Sequence, residues 1–422
     1  ADWYRPRGNN EWSFGTDQTG TWPIISDLLT DLALKIKYIE YGDYSDPFFL
    51  KIGNVESVTL GHGMLMSAIP FDTGFPAIRR IGVNTGLDLG GGGFEAVVDD
   101  LARPQIVGGR IFYRPFPEGF AFALGLSSII DLYPAASIPP DAAGTHVTYG
   151  NPLFMTLGLD LDFPIVNREN FKLTLFSDLG ALAPYYRESY GASITPGFAF
   201  NTIFTGTAPG FAGISNYGVA AGIISKISLV DWRVEYRMFR GIFEPGYFSS
   251  TYERIRGTYV REAADFLSNP SASDYLTTTL GIYGELGVTI GKAAYIESGY
   301  FWPWEIRSGS LGFGENDFFH FKFVLNEGVI PVVGIHGSLT FDRTKFIPTL
   351  LQSGGGAGLN LFDAYTTITA ELIYPVAPVL DIAFTYSTGT SYASDGTVVA
   401  DSGTPSLPAV RPSITIETRL HF

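Results

Sequence analysis

The stretch Leu153-Phe154-Met155-Thr156-Leu157-Gly158-Leu159-Asp160-Leu161-Asp162-Phe163 decides the fold class. One set of alternate positions carries Leu153, Met155, Leu157, Leu159, Leu161 and Phe163; the other carries Thr156, Gly158, Asp160 and Asp162. A period of two marks a strand, whose successive side chains point to opposite faces. The segment has the length, about 9–11 residues, that a tilted strand needs to cross a bilayer. The leucine face then meets lipid and the aspartate face meets water.

The same dyad recurs along the chain. Phe120, Phe122, Leu124 and Leu126 alternate with Ala121, Ala123 and Gly125, and Val230, Trp232, Val234, Tyr236 and Met238 alternate with Asp231, Arg233, Glu235 and Arg237. Leu280, Ile282, Leu286, Val288 and Ile290 stand against Tyr283, Glu285 and Thr289, and Phe319, Phe321, Phe323 and Leu325 against His320, Lys322 and Asn326. Val333, Ile335, Leu339 and Phe341 stand against His336, Ser338 and Thr340, and Ile368, Leu372 and Tyr374 against Thr367, Thr369 and Glu371. A soluble β-sandwich also alternates, but it rarely keeps one aromatic-rich face over so many consecutive hairpins.

Short connectors near Pro115–Glu118, Pro164–Asn170, Ser225–Leu229, Gly291–Ala293, Asn326–Pro331 and Pro375–Pro378 alternate with long ones, among them Glu244–Asp274 and Arg343–Leu359. That asymmetry matches short periplasmic turns and long extracellular loops. The expected fold is all-β, a transmembrane antiparallel β-barrel of about fourteen strands running from Phe94–Asp99 to Ser413–Phe422. Leu32–Tyr41, Phe49–Gly53, Val55–Leu65 and Ile78–Leu89 also have strand character, so a barrel of about sixteen strands is the alternative.

Composition points the same way. The 422 residues include 50 glycines and no cysteine, with 15% aromatic and 16% charged residues, against roughly 25% charged in soluble domains. Mean hydropathy is +0.15, yet no apolar run approaches the roughly 18 residues of a membrane-spanning helix; the longest, Gly119 to Ile130, is short and alternates. Lack of cysteine suits an oxidising envelope compartment, and Ala1-Asp2-Trp3 is the opening expected after removal of a secretion signal. A net charge of −15 excludes nucleic acid as a partner, because phosphates call for clustered Lys and Arg. The expected partners are outer-membrane lipid, the outer-membrane assembly machinery and a small-molecule substrate. No cofactor is expected.

The last strand, Ser413–Phe422, places Ile414, Ile416, Thr418, Leu420 and Phe422 on one face and Thr415, Glu417, Arg419 and His421 on the other. This resembles the terminal strand of bacterial outer-membrane barrels, whose alternating apolar positions and final aromatic residue are recognised during assembly. The resemblance implies Ile414, Ile416, Leu420 and Phe422 as the assembly signal, and a bacterial outer-membrane location with the C-terminus periplasmic. Residues 1–31 lack alternation and hold Trp3, Tyr4, Trp12, Phe14 and Trp22. They read as a tail or as a plug, the rings favouring burial, ahead of a barrel over residues 32–422. A barrel with an N-terminal plug is similar in plan to the long-chain fatty-acid transporter family, which has fourteen strands and takes up hydrophobic molecules; the Asn-Pro-Ala start of that family is absent.

The inward charges form the candidate site: Arg233, Glu235, Arg237, Glu285, Glu297, His320, Lys322, His336 and Glu371 are expected to line the lumen. Glu285 and Glu297 come out as diagonal neighbours across the Gly291 turn, with Arg237 a candidate counter-ion between them. His320 and His336 fall on one hairpin near Ser338, which raises a Ser–His pair or a metal site. With no carboxylate placed beside either histidine, a lumen-lining hydrogen-bond network is the better reading, and neither catalytic residues nor a metal are assigned. Gly61-His62-Gly63 reads as a bent strand, or as a constriction with His62 as a polar contact. The Gly90–Gly93 run lacks the Lys and the helix of a phosphate loop and reads as a turn. The function expected is not enzymatic: passive passage of small molecules, hydrophobic ones among them, through a channel or transporter. The alternative is a structural or adhesive surface barrel with a closed lumen.

Overall fold

The structure, a computed structural model, describes residues 19–21, 24, 38–44, 46–55, 57–71, 80–116, 122–141, 143–200, 203, 213–269, 277–307, 310–330, 334–348, 362–377, 380–393 and 397–420. Nineteen strands form one antiparallel sheet. They are β1 (Tyr38–Tyr41), β2 (Phe48–Gly53), β3 (Gly82–Asp88), β4 (Gly92–Val98), β5 (Ile106–Tyr113), β6 (Ala123–Asp131) and β7 (Pro152–Arg168). After them come β8 (Phe171–Tyr186), β9 (Gly197–Phe198), β10 (Tyr217–Ile227), β11 (Val230–Arg240), β12 (Thr278–Ile290) and β13 (Ala294–Arg307). The last are β14 (Ser310–Phe313), β15 (Phe318–Leu325), β16 (His336–Thr344), β17 (Thr366–Ala377), β18 (Leu380–Thr390) and β19 (Val410–Leu420). Each strand pairs with the next in a meander, except that β8 pairs on to β10 and β13 on to β15. The short β9 and β14 add ribbons at the ends of β8 and β13.

The expected strands are all present, and further strands precede and flank them. Of the four upstream stretches, Leu32–Tyr41, Phe49–Gly53 and Ile78–Leu89 supply β1, β2 and β3, whereas Val55–Leu65 leaves the sheet. The turn expected at Pro164 also shifts. The ladder of β7 and β8 runs past Pro164 through a bulge between Pro164 and Val166, which absorbs the missing proline N–H. The Gly90 turn joins β3 to β4, with Gly90 at φ +81°. Phe422 and most of residues 1–31, with all their aromatic rings, lie outside the described residues.

Burial follows the alternation. Leu157 is 49% exposed while its neighbour Thr156 is fully buried, and Leu126, Leu179, Tyr236, Leu286, Leu372 and Phe384 are exposed in the same way. Ile414 and Ile416 of the expected assembly signal are exposed as well. The outer face is thus an apolar band, and the inner face carries the charges.

Two connectors from one end of the sheet fold against that inner face. The first, residues 54–71, forms a small hairpin in which the N–H of Val58 bonds to the carbonyl of Ile69 at 3.0 Å. The second, residues 241–269, runs beside it, with Phe248 N–H bonded to the Leu65 carbonyl at 2.9 Å, and then forms the helix α1 (Tyr252–Ser268). The connector Glu244–Asp274, expected to be an outer loop, is therefore largely interior. Its helix carries an apolar stripe, Tyr252, Ile255, Tyr259, Ala263 and Phe266, and its polar residues Glu253, Arg254 and Arg256 are buried as well. Met66, Ile69, Phe243, Phe248, Tyr252 and Val260 are fully buried and make one cluster, each worth about 1.5–3 kcal/mol of apolar burial.

The polar residues of α1 reach different parts of the sheet. Glu253 takes Arg80, ahead of β3, and Arg256 reaches Asp131 of β6 at 3.2 Å and Gln105 at 2.7 Å. Arg254 donates to the backbone carbonyls of Thr366 on β17 and Thr388 on β18. The sheet therefore curls around the helix.

The inner segments rest on a row of glycines. Gly158, Gly180 and Gly218 stand in register on β7, β8 and β10. A Cβ at Gly180 would lie 2.5 Å from Phe243 and 3.1 Å from Leu65, and one at Gly218 would lie 3.0 Å from Met64. The bare backbone is what lets these side chains sit flat on the wall.

Candidate functional site

The charged residues of β11 show how period-two spacing builds a site. Arg233, Glu235 and Arg237 share the inner face, and both guanidiniums bind the carboxylate between them: Arg233 Nε donates to Glu235 at 2.8 Å and Arg237 Nε at 2.5 Å. Arg237 also lies over the Tyr283 ring, 4.3 Å from its centroid. On β12 and β13 the same spacing lets a tyrosine hydroxyl cap a carboxylate on its own strand, Tyr283 on Glu285 and Tyr295 on Glu297, each at 2.5 Å. Gly299 leaves room for the Tyr283 hydroxyl, which would stand 2.6 Å from a Cβ there.

Glu285, Gly299, His320 and Asp342 are successive register partners across β12, β13, β15 and β16. His320 bridges Asp342 at 2.5 Å and Glu297 at 3.1 Å. This corrects the expectation that no carboxylate stands beside it, because cross-strand register, unlike spacing along one strand, is not written in the sequence. His320 and His336 do not meet. His320 pairs with Asp342, six residues further along β16, while His336 sits at the start of that strand and bonds to the Gly334 carbonyl at 3.2 Å. Glu371 is likewise held apart, paired with Arg419. Arg237 binds Glu235 and does not sit between Glu285 and Glu297.

A cavity of about 670 Å³ lies between the inner segments and the wall from β11 to β17. Arg233, Arg237, Glu285, Glu297, His320 and Lys322 line it, and His336 and Glu371 do not. Glu235, 1% exposed, lies beneath the two arginines. Sequence reasoning missed the opposite side, which the inner segments supply: Ser57, Thr59, Ser67 and Glu244 among others. The signal was the apolar, glycine-punctuated run from Val55 to Phe71, too hydrophobic for an exposed loop and too irregular for a membrane strand. Burial pushes the Glu244 carboxyl up to about 8, the like charge of Glu262 adding to it, and Asn316 donates to it at 2.6 Å. Burial also raises Glu262, to about 7.

His62 fastens the first inner segment to the far wall. Its Nε2 lies 2.6 Å from Asp162 and its Nδ1 2.8 Å from Asp178, with Phe176 against the ring. Burial alone would depress its pKa, but the bonds to Asp162 and Asp178 carry it up to about 9. Beside it, Arg110 binds Asp160 at 3.0 Å and Glu95 at 3.2 Å. Gly61, at φ +58° and with Arg110 Nε 3.1 Å from where its Cβ would be, can make this turn without a side chain. Gly61-His62-Gly63 lies outside the sheet, and His62 makes a polar contact there. At both His62 and His320 the two ring nitrogens are taken by carboxylates.

Among the described residues no helix is long and apolar enough to cross a membrane. No family model matches the chain, and no curated protein matches it. Among solved structures it is similar to CdiB from Escherichia coli, at 8% identity over 99% of this chain and 74% of that one, with a TM-score of 0.41. A FadL homologue from Pseudomonas aeruginosa shares 13% identity over 88% and 85% of the two chains, with a TM-score of 0.27. The outer membrane transporter YddB from Escherichia coli shares 10% over 91% and 75%, with a TM-score of 0.27. These structural neighbours are outer-membrane β-barrels, and no single family is identified among them.

Proposed function

We propose that the sheet closes into a barrel in a bacterial outer membrane, with the end that bears its long connectors facing outside and its C-terminus periplasmic, and that the chain passes small polar solutes without a cofactor. The observation that carries this reading is the cavity of about 670 Å³ running between the inner segments and the charged wall of β11 to β17. The outer apolar band supports a lipid environment, since a soluble protein exposing so much contiguous apolar surface would associate. Hydrophobic cargo fits less well, because it would strip water from hydroxyls and charges without replacing their hydrogen bonds.

Reconstitution of the full chain in planar bilayers tests the reading. Steady conductance is expected, and Thr369→Trp, which fills the cavity from β17, should reduce it several-fold. A chain that inserts but does not conduct would favour the adhesive surface barrel.

A further inference from the structure

We propose that the cavity is a binding site for a small polyhydroxylated monocarboxylate, a solute of the sugar-acid class, with Lys322 receiving its carboxylate and Ser338, Thr340 and Thr369 its hydroxyls. The assignment rests on the passage reading above and names its cargo.

The charge arrangement is the first ground. Most ionised groups on this wall are already engaged with one another: Arg233 and Arg237 with Glu235, and His320 with Glu297 and Asp342. Lys322 is different. It faces the cavity from β15, in register with Glu297 on one side and Thr340 on the other. Glu297 feels its field, yet no carboxylate among the described residues stands within ion-pair distance of its ammonium. Lys322 on β15 is thus the cation left unpaired, and Glu285, two strands away on β12 and met among the described residues by the Tyr283 hydroxyl, is the unpaired carboxylate; a single solute carboxylate is matched at Lys322, and a multiply charged solute is not.

The hydroxyls are the second ground, independent of the first. Thr340 is the register partner of both Lys322 and Thr369, and Ser338 lies two residues along the same face of β16. All four residues line the cavity. Among the described residues, neither the hydroxyls of Ser338, Thr340 and Thr369 nor the Lys322 ammonium has a hydrogen-bond partner. Each hydroxyl can donate and accept, and the ammonium donates three times, so the patch can exchange its water for the hydroxyls of a polyol one for one. An alkyl chain would leave every one of these groups unmet. The volume is within the roughly 300–1,000 Å³ of small-molecule sites.

Calorimetric titration of the detergent-solubilised full chain with sodium gluconate, glucose and sodium hexanoate tests the proposal, the last keeping the charge and chain length of gluconate without its hydroxyls. Gluconate is expected to bind at least about tenfold tighter than either. Lys322→Gln should bring gluconate to the level of glucose while leaving glucose unchanged. Thr340→Val combined with Thr369→Val should weaken both sugars and leave hexanoate unchanged. Heat-modifiable gel mobility checks that each variant is folded. Equal binding of gluconate and glucose, or tighter binding of hexanoate, overturns the proposal. Uptake into proteoliposomes is measured separately: gluconate that binds but does not cross overturns the passage reading alone, and solutes that cross without preferential gluconate binding overturn this assignment alone.

Discussion

Adding one methyl group at Gly180 should unseat the inner segments while leaving the wall intact. The Cβ of Gly180→Ala would stand 2.5 Å from Phe243 Cζ and 3.1 Å from Leu65 Cδ2, against the 3.5–4.0 Å at which carbon atoms pack best. Phe243 is 0% and Leu65 2% exposed, so neither can swing into solvent, and the clash must be met by moving the segments. Overpacking of this kind costs about 1–3 kcal/mol. Alanine for glycine also restricts the unfolded chain, which returns about 0.4–1 kcal/mol. Gly284→Ala isolates that second effect, because nothing stands within 4 Å of a Cβ there. Gly180→Ala should therefore be less stable than Gly284→Ala by about 1–3 kcal/mol, read from urea unfolding in lipid vesicles, and its bilayer conductance should rise as the inner segments loosen. Phe243→Leu added to Gly180→Ala should recover part of the loss, as expected of two residues in contact. Equal stability of the two alanine variants would refute the glycine-row argument.

Further outcomes are expected. Leu286→Arg, on the outer band, should cost about 2–4 kcal/mol near the midplane, whereas Thr369→Arg, facing the cavity, should cost far less; equal losses would refute this assignment of faces. His62 is held protonated by Asp162 and Asp178 at about 9, so its contribution is complete below the free-histidine value of about 6.5 and is lost as the pH rises through about 9. Wild type should accordingly lose more thermal stability across that window than His62→Gln, and parallel curves would exclude the role. Deleting Phe422 should leave the chain unassembled in the periplasm, seen as loss of heat-modifiable mobility, and normal insertion would count against the terminal-strand reading. If residues 1–31 act as a plug, their removal should raise single-channel conductance; an unchanged value would make them a tail.

The wall was legible because lipid imposes its pattern on every crossing. Leu157 and Thr156 are told apart by the solvent each faces, and that difference is written at every second position. The packing of the interior was not. Glu253 meets Arg80, 173 positions away, and no local pattern joins them. α1 escaped notice because Glu253, Arg254, Arg256, Arg261, Glu262 and Asp265 give its segment the polarity of an exposed loop, although Glu253, Arg254 and Arg256 are buried. Glycines at 158, 180 and 218 look like any others until the register aligns them. Gly158 and Thr156, which the alternation marks as water-facing, turn out to lie under Leu65 or in full burial, so the inner face is wet over only part of its arc. Six of the nine expected site residues line the cavity and Glu235 lies beneath two of them, because period-two spacing puts them on one face. His336 and Glu371 fell away because phase says nothing about height along a strand or about where the inner segments leave space.

The glycine row divides the wall into a region closed to larger side chains and a region open to them. At the glycines of β7, β8 and β10 an inward substitution must fit beneath Phe243, Leu65 and Met64, so almost any enlargement is penalised. On β15, β16 and β17 several inward side chains, Lys322, Thr340 and Thr369 among them, border open volume, while Thr344 and Thr367 meet the segment that opens the helix. Residues such as Thr340 and Thr369 should therefore accept exchange with little effect on the fold, which separates the polarity of the cavity from the stability of the wall.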